Sequence, residues 1–354
     1  MKLRKFMSGD LLTYLLVILA FAVLAPLNAG GFLSRSLSGL LIPMCCYMSL
    51  AVSLNLTVGI LGELSLGHAG FMSVGAFSAV VASSALIDLV PIPGLRLLIV
   101  LVIAAASAAL AGVIIGTPVL RLHGDYLAIV TLAFGQIIKE IVGILFVGKD
   151  SSGLHMVLNL RGNRTAEDLN LDETGTAIIK GAQGAVGTVP IATFTAGFLL
   201  ILVTLAVTLN LMHSRSGRAI MALRDNRIAA ESIGISSTKY KMMAFVISAA
   251  LAGAAGGLYG LNYSSLQSAK FDFNTSILIL VFVVLGGLGN IRGSLISAAA
   301  LTILPEMLRE FDSYWKLMYA IVLIAVMLLS NSAALKDRLG KLRIRRGHAE
   351  KEAL

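Results

Sequence analysis

Apolar residues along this chain gather into runs of about 20, the length an α-helix needs to cross the hydrocarbon core of a bilayer. Runs of this kind lie near Leu11–Leu27, Leu40–Leu61, Leu64–Leu86, Leu95–Thr117, Tyr126–Val147, Ile191–Met212, Met242–Asn262, Ser276–Leu288, Ser294–Leu308 and Leu317–Leu329. The pattern predicts an all-α membrane protein of about ten transmembrane helices, some short or broken. The eighth run is short. One window of comparable length is polar, Gly148 to Pro190, so residues 1–354 read as a single membrane domain with no attached catalytic module. Lys2, Arg4 and Lys5 ahead of the first run resemble a signal peptide, yet nothing after it reads as a secreted soluble domain, and the run is expected to stay as a span.

Composition supports this class. The chain is 57% hydrophobic and 13% charged, against about 25% charged in ordinary soluble domains. Its net charge of +9 does not indicate nucleic acid, because the basic residues sit at the ends and connections of apolar runs. They indicate orientation instead, since short cytoplasmic connections collect Lys and Arg. Three basic clusters belong on the cytoplasmic side: the head, the 213–241 loop with Arg215, Arg218, Arg224, Arg227, Lys239 and Lys241, and the 333–354 tail. The 148–190 connection carries Asp150, Glu167, Asp168, Asp172 and Glu173 against Lys149, Arg161, Arg164 and Lys180, and belongs outside. Ten spans with both termini cytoplasmic satisfy all four assignments. The two cysteines, Cys45 and Cys46, are adjacent in an apolar run and offer packing rather than a staple or a metal site.

Two connections are too short for ordinary loops: Gly62-Glu63 between spans 2 and 3, and the Gly-rich stretch 286–293 between spans 8 and 9. Gly-interrupted apolar segments at corresponding places in two halves point to broken helices around a transport path. Leu61-Gly62-Glu63-Leu64 echoes Leu288-Gly289-Asn290-Ile291, and five spans per half makes an inverted five-plus-five repeat a candidate.

Polar groups at bilayer depth need a partner, a watery cavity or an interfacial position. They are densest around spans 2 and 3, where Asn55, Glu63, Ser65, His68 and Ser73 stand among Gly59, Gly62, Gly67, Gly70 and Gly75. Asn55, Glu63, Ser65, His68, Gly67 and Gly70 are the candidates for a translocation path. The plain alternatives are an interfacial carboxylate at a helix start for Glu63 and a packed imidazole bonded to backbone for His68. Lys139 and Glu140, adjacent and so on different faces of a helix, are expected to snorkel without pairing. In the 213–241 loop, Ala219, Ile220, Leu223, Ile228 and Ile233 alternate with charges up to Gly234, predicting a short amphipathic helix over Ser216–Ile235. Its apolar face needs a cover, either a partner protein or the membrane surface.

Several long strings then resemble one family: GELSLGHAGFMSVGAF at 62–77, LRLHGDYLAIVTLAFGQII at 120–138, SGRAIMALRDNRIAAESIGI at 216–235, AFVISAALAGAAGGLYG at 244–260 and VLGGLGNIRGSLISAAAL at 284–301. In order and over most of the chain, these are similar to the permease subunits of bacterial branched-chain amino-acid ABC importers, the LivM type. The resemblance implies an inner-membrane subunit that passes branched-chain amino acids, or similar small amino-acid or amide solutes, to the cytoplasm. It implies as partners a second homologous permease, two cytoplasmic ATPase subunits and an extracytoplasmic substrate-binding protein. In this family the 213–241 loop resembles the ATPase-coupling element, with its motif of Glu-Ala-Ala, three residues, Gly. Here Ala229, Ala230 and Gly234 match and Ile228 replaces the Glu, so Arg224 and Glu231 are the nearest charged coupling candidates. The chain has no Walker-type run, so no cofactor is expected in it and ATP would be used by partner subunits. The competing readings are a self-sufficient secondary transporter or channel working through Glu63 and His68, a urea or short-amide permease of the same family, and an intramembrane enzyme, for which no paired nucleophile and base stands out.

Overall fold

The long apolar runs are helical in the computed structural model, which describes residues 2–120, 125–150, 153–159, 169, 171–172, 175–308, 317, 320–321 and 324. In chain order the helices are α1 (Lys2–Ala29), α2 (Arg35–Asn55), α3 (His68–Ala85), α4 (Pro93–Val119), α5 (Asp125–Gly143), α6 (Phe194–His213), α7 (Arg215–Asp225), α8 (Arg227–Ser232), α9 (Ser237–Gly260), α10 (Phe273–Gly286) and α11 (Ile291–Met307). Seven helices among the described residues are long and apolar enough to cross a membrane, and α10 is a shorter apolar one. Most of the tenth predicted span and all of the 333–354 tail lie outside the described residues. Met1–Ala299 and Ala300–Leu354 are separate compact units, and the first holds the bundle from α1 to the start of α11.

Small residues set the packing of this first unit. α9 runs between α3 and α4 on a face of glycine and alanine. A Cβ at Gly253 would stand 2.2 Å from that of Ala108, and one at Gly256 would stand 2.0 Å from the Met72 carbonyl oxygen. Without an aqueous driving force between helices, such close approach is what holds a membrane bundle together. Leu98, Val102, Leu110 and Ile114 of α4 are exposed, as a surface facing hydrocarbon requires. Cys45 and Cys46 are buried and unpaired, Cys45 against Gly197 of α6.

Five short strands add a sheet that hydropathy does not announce. The strands are β1 (Leu145–Asp150), β2 (Gly153–Leu158), β3 (Thr176–Lys180), β4 (Ala185–Val186) and β5 (Ser265–Leu266), in the order β2-β1-β3-β4-β5 with antiparallel pairs throughout. The fifth predicted span therefore ends early. The helix stops at Gly143, and Leu145–Val147 pair instead with Met156–Leu158. Within the 148–190 connection, Arg161, Arg164, Glu167, Asp168 and Glu173 lie outside the described residues. The sheet marks one end of the bundle: Lys149 Nζ donates to the Ser84 and Ala85 carbonyls at the end of α3, and Ile191 N donates to Leu261 O after α9. Lys139 and Glu140 are in fact paired, Nζ to Oε1 at 3.7 Å, because long side chains can fold back over the backbone that separates their faces.

At the opposite end, α6 leads into α7 through Ser214, whose Oγ caps the new helix by accepting from Gly217 N. The expected single helix over Ser216–Ile235 is two. Asn226, at φ −154 and ψ 102, closes α7 and caps α8 through its side chain, which accepts from Ala229 N at 3.0 Å. Asn is favoured as such a cap because its side-chain oxygen meets an amide that the first turn leaves free.

Candidate functional site

The α2–α3 connection is a broken helix. Beyond Asn55 the chain makes one π-helical stretch, Leu56–Leu61, and Gly62 at φ 82 then turns it into a non-helical stretch that reaches α3 only at His68. A side chain at Gly62 would be strained at that φ and would meet Arg224 Cγ at 2.6 Å. The third helix thus begins four residues later than the predicted Leu64. The non-helical stretch is held by α5: Leu66 N donates to Thr131 Oγ1 at 3.1 Å, and a Cβ at Gly67 would lie 2.2 Å from Thr131 O. Gly70 packs in the same way on Gly135 Cα. Both path candidates among the glycines therefore sit where two backbones cross closely.

Asn55 is fully buried and ties this break to the other Gly-rich connection. Its Nδ2 donates to Ser294 Oγ at 2.8 Å and its Oδ1 accepts from Gly289 N at 2.8 Å. Gly289, in the second stretch of the echo, thus lies against Asn55 and Gly59, just ahead of the first stretch at residues 61–64. A shift of five spans pairs the stretch before α3 with the stretch before α10, and those starts do meet: Ala69 N donates to the buried Ser276 Oγ at 3.1 Å. α10, 14 residues long, covers only about 21 Å, short of the roughly 30 Å of a hydrocarbon core. From this meeting point α3 runs to the sheet end and α10 runs to the opposite end.

His68 is buried, and its Nε2 lies 2.8 Å from Ser53 Oγ. Ser53 donates to the Leu50 carbonyl at 2.9 Å, which leaves its oxygen to accept from the imidazole. His68 thus has the expected backbone partner, at Leu50, and beside it a side chain of α2, Ser53, close before Asn55. Ser65 and Ser73 are buried, and their hydroxyls have no hydrogen-bond partner among the described residues.

Glu63 does not sit at a helix start. It precedes α3 by five residues, and its charge is met by Lys241 of α9, with the two side chains 14% and 7% exposed. Sequence reasoning gave Lys241 only to the basic loop, since the residue stands 178 positions away and at the head of a span, where snorkelling is the ordinary reading. Arg224 is likewise engaged within the chain. Its Nη1 donates to Gly59 O at 3.2 Å, in the π-helical stretch, while Nε and Nη2 donate to Asp225.

The apolar face of α7 has its cover too. Ile220 is fully buried in a cluster with Leu56, Ile60, Leu61 and Ala244, so α7 packs on the end of α2 rather than on a partner or a lipid surface. Ala230 is 3% exposed and faces its own chain, whereas Ala229 is exposed. Ile228 and Ile233, at 82% and 77% exposure, are the uncovered apolar residues of the loop. Gly234, at φ 87, ends α8, and Ile235 N returns to Ala230 O at 3.1 Å. Glu231 accepts from Arg227 at 2.9 Å. That hydrogen bond chiefly holds the Glu231 carboxyl below its usual range, with Ser237 and the Lys241 charge adding to it.

A bundle of long apolar helices with one helix broken inside it, and a short helical pair seated on that break, defines a polytopic membrane protein. Sequence similarity gives the family: this chain belongs to the branched-chain amino acid transport system permease components, whose family model matches residues 36–329. It is 31% identical over 350 residues to the high-affinity branched-chain amino acid transport system permease protein LivM of Escherichia coli K12, covering 96% of this chain and 78% of that protein. BraD of Pseudomonas aeruginosa is 26% identical over 272 residues, covering 72% and 79%. LivH of Escherichia coli K12 is 34% identical over 102 residues, covering 29% and 33%.

Proposed function

We propose that this permease is the membrane subunit of an ATP-driven importer that passes leucine, isoleucine and valine from a binding protein to the cytoplasm. Its partners are a second, LivH-like permease, two cytoplasmic ATPase subunits that hydrolyse the ATP, and an extracytoplasmic binding protein. The observation that carries the reading is the α7–α8 pair. One helix is anchored by Ile220 to the broken end of α2, and the next holds Ile228 and Ile233 out, away from its own chain. An exposed apolar pair on a rigidly seated short helix suits docking into a groove of a partner. The names of the related proteins support the substrate. The starts of α3 and α10, meeting inside the bundle beside the unpaired hydroxyl of Ser65, suit the crossing point of a solute path.

The basic residues of the α7–α8 end support a cytoplasmic side for that end and an outer side for the sheet, with the 148–190 connection helping to receive the binding protein. Both termini are then cytoplasmic. Uptake of labelled leucine by cells carrying the whole importer tests the reading. It should stop when the ATPases are deleted and be competed by isoleucine and valine. Uptake without ATPases, or competition by urea and short amides alone, would refute it. A Val189→Cys variant should label from outside and a Ser236→Cys variant should not, the two native cysteines being buried; the reverse pattern overturns the orientation.

A further inference from the structure

Two cations of the α7–α9 region reach past the loop surface and take hold of the broken end of α2. Arg224 donates to the Gly59 carbonyl inside the π-helical stretch, and its methylenes lie over Gly62, the residue at which the helix gives way to non-helical chain. Lys241 pairs with Glu63, the next residue along, and both side chains are largely buried. Four residues before Lys241, Ser237 at the start of α9 is bonded by Glu231 of α8. Three features of the break, a carbonyl, a left-handed glycine and a carboxylate, are therefore covered by side chains of α7 and α9, the helices on either side of the exposed isoleucines.

A structural salt bridge would need only one such contact, and at a bundle surface it would contribute little. Here the break is joined to α7 and α9 by the apolar cluster around Ile220 and by both cations together. π-Helical turns recur at functional sites, and here a carbonyl of the π turn accepts from an arginine of α7. α8 packs against the start of α9, where Glu231 bonds Ser237, so a displacement of α8 is passed to the helix that carries Lys241.

We infer that Lys241 is a positioning residue for transport: through Glu63 it fixes the non-helical stretch ahead of α3 to the docking loop, so that displacement of α8 by a partner moves the broken helix. The inference rests on the docking role proposed for α8 and adds the route by which docking reaches the solute path. Glu63 and Lys241 share the role, with Arg224 holding the preceding turn.

The test uses the complete importer in membranes with Glu63→Gln, Lys241→Gln and the reversed pair Glu63→Lys with Lys241→Glu. Three quantities are read: recovery of the ATPases with the permease, ATP hydrolysis, and binding-protein-dependent uptake. In either single variant the ATPases should be recovered in full and hydrolysis should continue, while uptake falls about tenfold, within the range of ordinary coupling between sites. The reversed pair should regain a large part of that uptake, which a residue serving only the folded state of one helix would not require. Unchanged uptake in the single variants, or a reversed pair no better than either, overturns the inference. Loss of the ATPases from the single variants would also overturn it, because the pair would then merely hold the docking surface together. Uptake by the unaltered importer that persists without ATPases would refute the docking role itself, and is separable from all of these.

Discussion

At the sheet end, the connections of the bundle are tied by backbone: β1 pairs with β2 and β3, β4 pairs with β5, and Gly187 and Thr188 both donate to Ser264 O. At the α7–α8 end the described residues form no such ladder. That end is held by side chains, namely the caps Ser214 and Asn226, the Ile220 cluster, Arg224 on Gly59 O and Lys241 on Glu63. Backbone pairing is indifferent to most side-chain changes and gives a fixed platform. Side-chain contacts are individually weak and can be remade when a partner arrives. A rigid face and a responsive face suit the function proposed above, in which one end receives a binding protein and the other is driven by ATPases.

The largest expected effect of breaking this contrast is at the driven face. Ile220 is fully buried where α7, the end of α2 and the start of α9 converge. Ile220→Ala should lower stability by about 2–5 kcal/mol, the range for buried Ile or Leu truncations. The loss should appear in the thermal unfolding midpoint of the detergent-extracted protein, together with faster hydrogen exchange over α7. Exchange in the sheet should not change. If β1 and β3 lose protection in step, the two ends are not separable and the comparison fails.

The intermediate effect is at the platform. Gly184 stands at φ 75, and a Cβ there would come 2.0 Å from Leu266 O. Gly184→Val combines a left-handed β-branched residue with a backbone clash, on the order of 1–3 kcal/mol of local strain. The bond from Lys180 N to Gly184 O, 2.8 Å in the native turn, should exchange faster, and binding-protein-dependent uptake should fall while the ATPases are retained. Full retention of uptake would show that β4–β5 is not part of the receiving face.

What the sequence disclosed follows from which forces are local. Helices α1 to α6 and α9 were legible because hydropathy over 20 residues is a one-dimensional signal, and the Gly62 break was legible because a left-handed turn asks for glycine. Asn226 was also within reach: an Asp-Asn pair inside an amphipathic run is a cap signal, and reading through it merged α7 with α8. The sheet was hidden by its short strands and by β5, which joins it from residues 265–266, some 80 residues beyond the strand that begins at 185. Lys241 was hidden for a related reason, since nothing local distinguishes a cation that snorkels from one that meets a carboxylate 178 positions earlier. The meeting of the α3 and α10 starts through Ser276 was missed because the Leu-Gly echo drew attention to the wrong pair of connections.

The smallest expected effect on stability, and the most informative on function, concerns Ile228. Its side chain is 82% exposed on a helix whose cap, Asn226, and whose buried residue, Ala230, are both elsewhere. Ile228→Glu should therefore change stability by no more than about 0.5 kcal/mol, as surface substitutions away from such features do. It also places a carboxylate where the Glu of the general ABC-importer coupling motif would stand. If the isoleucine seats in an apolar groove, the charge must be desolvated on docking without a partner, and recovery of the ATPases with the permease should drop sharply along with uptake. Ile233→Glu, on the same uncovered surface, should do the same, whereas Ala229→Ser should not. Ala230→Glu is the wrong probe, because that side chain is buried in its own chain and its charge would disrupt α8 directly. Undiminished ATPase recovery in both isoleucine variants would remove the apolar pair from the interface and leave the backbone and Ala229 of α8 as the docking surface.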